Sequence, residues 1–241
     1  MYGFQIMIEG EYACFTRPEM KVERVSYDVP TPGALEGLLK SVYWKPAIRY
    51  VIDQIIVFHP IQFLNVRRNE VKEKVLLSAM KSQMNGKGGD PCIYTSESRS
   101  QRAAMILKDV KYGVAFHFEL TGLKDGEEEE GEKKHFNILK RRLEKGQFFR
   151  APCLGCSEFP VKKIYLVDQF PMQEISPEIL ALGDVDLGFM SYKVVFRDGG
   201  IPVNGNWEEP IFSDRADTVY YRPHMIGGVI DVARYKEGWK C

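Results

Sequence analysis

Four histidines, His59, His117, His135 and His224, are the side chains of this 241-residue chain best suited to moving protons near neutral pH, because a free imidazole titrates at about 6.5. His59 precedes Pro60 at a strand end, which suits a structural role. His135 opens a helix, where an imidazole caps or faces solvent, and His224 follows Pro223 in a β turn with no evident partner. His117 lies mid-strand in VKYGVAFHFEL (residues 110–120), on the face it shares with Lys111, Gly113, Ala115 and Glu119. Gly113 and Ala115 are small, so that face is expected to stay open for a ligand. Spacing alone still favours a satisfied sheet histidine over a catalyst.

The cysteines carry less. Cys14, Cys92, Cys153, Cys156 and Cys241 are odd in number and scattered, which argues against a disulfide framework. Cys153 and Cys156 form a C-x-x-C, but no second pair and no nearby histidine completes a zinc site. They read as ordinary residues flanking a tight Leu154–Gly155 turn. No metal or cofactor is expected.

Charge totals cancel, with 33 Lys+Arg against 33 Asp+Glu, so they announce no nucleic-acid partner. The distribution is uneven. Arg67 and Arg68 form one basic cluster with Lys72 and Lys74, and Arg99 and Arg102 form another. Lys140, Arg141, Arg142 and Lys145 follow an acidic run at 127–130. Local clusters bind phosphates even in a neutral protein, because screening cuts the field beyond roughly 8–10 Å. On charge alone they are solvated faces.

The elements that must position these groups follow from periodicity and punctuation. Phe4 to Glu9 reads as a strand and Val25 to Val29 as a short extended piece. Thr31-Pro32 is a helix start, a hydroxyl N-cap followed by proline at the first helical position. The helix runs through Leu35, Leu38, Leu39 and Val42 to Tyr43 or Trp44, and Pro46 ends it. Ile48 to Phe58 is β-branched and aromatic, a strand that continues at Ile61 to Val66 after a bend. Residues 69–84 permit a helix. Met105 to Leu107 and Val110 to Leu120 form the next strand, and Lys124 to Lys134 a solvated loop. A helix from His135 to Lys145 buries Phe136, Leu139 and Leu143 and stops at Gly146. Beyond Gly155 the chain is β-rich, at 161–167, 187–196, 218–221 and 225–232, with Gly199-Gly200 and Gly227-Gly228 as hairpin turns.

That order predicts an α+β protein: a ferredoxin-like (RRM-like) N-terminal domain over residues 1–155 and a smaller antiparallel β domain over 156–241. Hydrophobic residues at 44% and charged residues at 27% suit a globular chain. No apolar run nears the roughly 20 residues that span a bilayer, and MYGFQIMIE lacks the basic start of a secretory leader. A cytoplasmic protein without a membrane partner is expected.

Six stretches together resemble one family: TPGALEGLLKSVYWKP (31–46), VIDQIIVFHPIQFLNVRRNEV (51–71), LKDVKYGVAFHFE (107–119), HFNILKRRLEKGQFFRAPCLG (135–155), Glu158-Phe159-Pro160, and DLGFMSY (186–192). They resemble the Cas-five proteins of subtype I-C CRISPR systems, the Dvulg type, within the RAMP superfamily. The resemblance implies a metal-independent endoribonuclease that cuts CRISPR repeat hairpins in precursor crRNA. It also implies a protein that stays on the 5′ end of the mature crRNA in the surveillance complex, beside the large and backbone subunits, with double-stranded DNA as a further partner. The alternative is a non-catalytic RNA-binding subunit of that complex.

Such a nuclease takes its nucleophile, a 2′-hydroxyl, from the RNA and needs only a base, an acid and charge stabilisation. The resemblance implies His117 as the acid or base and Tyr43, within Tyr43-Trp44-Lys45-Pro46, as the group that orients the substrate. The family's third catalytic residue is a lysine beside the histidine; at 115 and 116 stand alanine and phenylalanine. Lys45 is the expected replacement, with Lys111 another source. Arg67, Arg68, Arg99, Arg102, Lys140, Arg141 and Arg142 are expected to hold RNA phosphates.

Overall fold

A computed structural model describes residues 3–88, 92–122, 131–199, 202–206 and 208–235. The acidic run at 127–130, Gly200 of the expected Gly199-Gly200 turn and Cys241 lie outside them. Strand β1 (Gly3–Ala13) is followed by the two-residue β2 (Arg24–Val25) and helix α1 (Pro32–Val42). The expected cap is in place: Thr31 Oγ1 accepts the Ala34 N–H at 3.2 Å, and Pro32 needs no such partner.

β3 (Ile48–Val57) and β4 (Phe63–Val71) come next, then α2 (Leu77–Met84). The helix-permissive reading of 69–84 therefore began too early, because residues 69–71 pair with Gln101, Ser100 and Arg99. β5 (Arg99–Leu120) is one strand of 22 residues, where two pieces were expected. Its first half pairs with β4, and its second half lies between β1 and β3. Asp109, at φ +50, marks the change, and its carbonyl meets His59 Nδ1 at 2.8 Å. Asp tolerates this left-handed conformation better than a bulky residue would.

α3 (Glu132–Glu144) starts three residues before the expected His135, and β6 (Lys163–Leu166) follows. Then come α4 (Pro177–Ala181), β7 (Asp184–Asp186), β8 (Met190–Phe196), β9 (Ala216–Tyr221), β10 (His224–Ile226) and β11 (Val229–Asp231). Gly227-Gly228 is the expected turn, joining β10 to β11. Both glycines have positive φ, and a Cβ on Gly228 would lie 3.0 Å from the Val57 carbonyl oxygen.

The large sheet runs β6-β1-β5-β3-β11-β10-β7 with antiparallel neighbours, while β8 and β9 pair apart from it. Tyr112, Val114, Phe116 and Phe118 of β5 are buried in one core with Leu35, Leu38, Leu39 and Val42 of α1 and with Leu139 and Leu143 of α3. Phe4 stacks between Phe116 and Phe136, tying α3 to this face of the sheet. No described helix is long and apolar enough to cross a membrane.

Candidate active site

Tyr43 caps the C-terminus of α1, its N–H bonded to the Leu39 carbonyl. Three further contacts fix it. The Tyr50 hydroxyl donates to the Tyr43 carbonyl at 2.6 Å, and Arg142 Nη1 donates to the Val42 carbonyl at 2.6 Å. The same guanidinium lies 5.1 Å above the Tyr43 ring, within cation–π range. The phenol itself is hydrogen-bonded to His135 Nδ1 at 2.9 Å.

His135 is therefore not the solvated cap expected at a helix start. It is fully buried, its ring edge-on to Phe118. α3 begins earlier than its apolar stripe suggested, so His135 sits inside the first turn and faces the sheet with Leu139 and Leu143. Lys134, the residue before it, is exposed. A lysine beside a histidine thus exists at 134–135, and the hydrogen bond from Tyr43 reaches this pair.

His117 lies elsewhere. In β5 it alternates with Phe116 and Phe118, so it points to the face of the sheet away from Tyr43 and His135. The register of β3 slips between Ile52 and Gln54, and this irregularity aims Asp53 at the imidazole: Oδ2 is 2.7 Å from His117 Nδ1. Nε2 is buried, 3.8 Å from Glu119 Oε1. The face expected to be open is covered, because a Cβ on Gly113 would meet Phe170 at 2.9 Å and Phe58 at 3.0 Å. Lys111, on the same face, is bound to Glu174 at 2.6 Å. The chain does not bring His117 and Tyr43 to one site.

Lys45 does join Tyr43. The two, with Lys40, Trp44, Arg142 and Arg150, line a cleft of about 730 Å³ along α1. Trp44 and Phe149 present largely exposed rings there. The segment after α3 is clipped to α1 by the N–H groups of Phe149 and Arg150, which both donate to the Ser41 carbonyl at 3.0 Å. A second hollow of about 570 Å³ shares Gly37, Ser41 and Arg150 with the first, so the grooved surface continues past α1 toward Arg24 and Cys156. Aromatic faces beside fixed cations suit single-stranded nucleotides, which stack and present phosphates together.

The other basic candidates divide. Lys140 and Arg141 are exposed on α3, whereas Arg142 is half-buried and already engaged with Val42 and Tyr43. Arg67 and Arg99 are exposed on the arm made by β4 and the start of β5, with Arg102 half-buried there. Arg68 faces Arg102 across that arm but is bound to Glu70 at 2.8 Å and to Glu158 at 3.2 Å. His224 has a partner after all, Asp184 Oδ1 at 2.8 Å, because β10 pairs with β7.

Residues 4–233 match the family described as CRISPR-associated protein (Cas_Cas5). A relative from Mannheimia succiniciproducens, named CRISPR pre-crRNA endoribonuclease Cas5d, is 41% identical over 231 residues, covering 95% of this chain and 93% of its own. A Thermus thermophilus protein of the same name is 38% identical over 160 residues, 66% of this chain and 62% of its own. Among solved structures, a functionally uncharacterized Streptococcus mutans protein superposes with a TM-score of 0.61 at 22% identity, covering 100% of this chain and 93% of that one. A CRISPR-associated protein does so at 0.56 and 21% identity, covering 95% and 91%. The chain belongs to the Cas5 family of CRISPR-associated proteins, in its subtype I-C branch.

Proposed function

We propose that this chain is a metal-independent endoribonuclease that cuts CRISPR repeat hairpins in precursor crRNA, with Tyr43 and His135 at its chemical centre. One observation carries the reading: the 2.9 Å bond between the Tyr43 phenol and His135, at the wall of a cleft lined by Lys40, Lys45, Arg142 and Arg150. The names of both curated relatives support the substrate. The family resemblance calls for a tyrosine and for a histidine beside a lysine. Tyr43, Lys134 and His135 meet that requirement, and His117 does not.

In this reading the 2′-hydroxyl beside the scissile phosphate attacks phosphorus and the 5′-oxygen leaves, so the product ends in a 2′,3′-cyclic phosphate. His135 supplies or removes the proton, and Tyr43 orients the reacting group, since a free phenol titrates only at about 10. Lys134, Lys45 and Arg142 offset charge on the phosphorane. Both rings of the dyad are buried, so RNA must displace side chains to reach them. Catalytic hydrogen bonds commonly rearrange in this way when substrate binds.

The order β6-β1-β5-β3 with α1 and α3 on one face supports a ferredoxin-like core within residues 1–155, which hold Tyr43, Lys134 and His135. Residues 156–241 form the ancillary β-rich part in this proposal, and the separate β8–β9 pair supports that division. Retention of the crRNA 5′ end beside the large and backbone subunits completes it. Leu76, Leu77, Met80 and Met84 are all exposed on or beside α2, an apolar surface that suits a protein subunit.

A second reading, an RNA-holding subunit that does not cut, draws on the same burial of Tyr43 and His135. Incubating the purified chain with its cognate repeat hairpin in excess EDTA separates the two. Cleavage with a cyclic-phosphate end is expected. Binding without cleavage would establish the second reading, and cleavage only after Mg²⁺ is restored would replace the mechanism with a metal-dependent one.

A further inference from the structure

Cys14 and Cys156 are far apart in sequence and adjacent in space, at the end of the groove away from Tyr43. Thr16 Oγ1 lies 3.5 Å from Cys14 Sγ and 3.8 Å from Cys156 Sγ. Cys156 Sγ is 3.6 Å from the Cys14 carbonyl oxygen. The two backbones touch: the Cys14 N–H donates to the Leu154 carbonyl at 3.0 Å, and Gly155 packs on the Cys14 carbonyl. A Cβ on Gly155 would stand 2.0 Å from that oxygen, and its φ is +86, so only glycine permits this approach. The C-x-x-C spacing suggests Cys153 as the partner of Cys156. Cys153 instead sits at a bridge to Pro160, and Cys156 Sγ lies against Cys14, whose sulfur shares Thr16 Oγ1 as a neighbour.

We propose that Cys156 and Cys14 form a redox-active pair in which Cys156 attacks low-molecular-weight disulfides, with glutathione disulfide as the representative substrate. Access favours Cys156 as the attacking thiol. It lines the 570 Å³ hollow, whereas Cys14 is 1% exposed. Its charge state favours the same order. The Arg24 guanidinium donates to the Cys156 sulfur at 3.2 Å and stabilises negative charge there. The neighbouring Cys14 side chain, with Thr16 and Arg24, holds Cys156 below the usual thiol range, while the Cys156 sulfur and burial hold Cys14 above it.

The chemistry closes in two exchanges. The Cys156 thiolate bonds to one glutathione sulfur, the glutathione disulfide bond breaks, and the first glutathione leaves as thiolate. This removes the negative sulfur that kept Cys14 protonated. Cys14 then loses its proton to solvent and attacks the Cys156 sulfur. The mixed disulfide breaks, and the second glutathione leaves. The cysteines lose two electrons and the glutathione disulfide gains them.

None of this depends on RNA cleavage, so the test reads the thiols alone. The reduced full chain is exposed to glutathione disulfide at pH 7, quenched with N-ethylmaleimide and mapped by peptide mass. Expected is a Cys14–Cys156 disulfide, with Cys156 consumed on the order of tenfold faster than exposed Cys92, since an ordinary thiol is mostly protonated at that pH. Cys14→Ser should stop at a stable mixed disulfide on Cys156. Arg24→Gln, with its fold checked by circular dichroism, should slow the first exchange. Cys156 reacting no faster than Cys92 would overturn the proposal, as would a wild-type mixed disulfide that never closes onto Cys14.

Discussion

His117 and His135 make opposite predictions at the scale of single residues. His135→Ala should slow hairpin cleavage by about 10²–10⁴-fold, the usual contribution of an acid–base group, and Tyr43→Phe should slow it less. His117→Ala should cut near the wild-type rate but melt earlier. It removes the bond to Asp53 and strands a half-buried carboxylate, a loss of about 1–3 kcal/mol. Single-turnover rates beside thermal melts decide this, and a His117→Ala protein that folds, binds and does not cut would return the chemistry to β5. Tyr43 was legible because its helix end, YWK before Pro46, is a local signal. Its partner was not, since the hydrogen bond spans 92 residues and depends on where α3 begins. Lys134-His135 was present in the sequence as the adjacent lysine and histidine that the family pattern demanded. Periodicity divides the pair, giving Lys134 to a solvated loop and His135 to the start of a helix.

At the scale of elements, α3 presents two kinds of cation. Lys140 and Arg141 are exposed, and Lys140→Ala and Arg141→Ala should each flatten the salt dependence of hairpin binding by about 0.7–0.9 in slope per lost phosphate contact. Arg142→Ala should instead lower both stability and cleavage, because its guanidinium joins α3 to the end of α1 at Val42 and Tyr43. Affinities measured across a salt series check the first, and unchanged slopes would mark Lys140 and Arg141 as a solvated face. The β7–β10 pair carries a different charge effect. The hydrogen bond from Arg222, then that from the Gly188 N–H, hold the Asp186 carboxyl at about 2, below its ordinary value. Its pairing therefore supports the fold above the unfolded carboxylate pKa and fades as pH falls through about 2. Arg222→Gln should move that titration back up, as NMR of the carboxyl carbon would record. α1 was legible from its cap and proline, whereas β4 was legible only in its first half, at 63–66; beyond that its alternating half-exposed pattern, paired only with the arm of β5, resembles neither core strand nor helix.

For the whole molecule, the sequence showed the order of strands and helices but not which strands share a sheet. Residues beyond 155 read as a separate β region, yet β6 pairs with β1 on one side of the N-terminal strands, and β11 pairs with β3 on the other. Such pairings are long-range and leave no local signature. They bear on stability directly. A fragment of residues 1–155 would open both edges of the β1-β5-β3 group, and unpaired edges invite association. It would also uncover Gly113, now packed by Phe170, and remove Ile179, Tyr221, Met225 and Ile230 from a core where each is 1% exposed or less. The two parts can divide labour without folding alone. The full chain is expected to melt in one transition, and the 1–155 fragment to aggregate or show no cooperative melt while binding a hydrophobic dye. Calorimetry on the full chain and sedimentation of the fragment would measure this. A soluble, monomeric fragment with its own sharp Tm would show instead that α1, α3 and three central strands suffice, and that β6 and β11 are additions to a finished core.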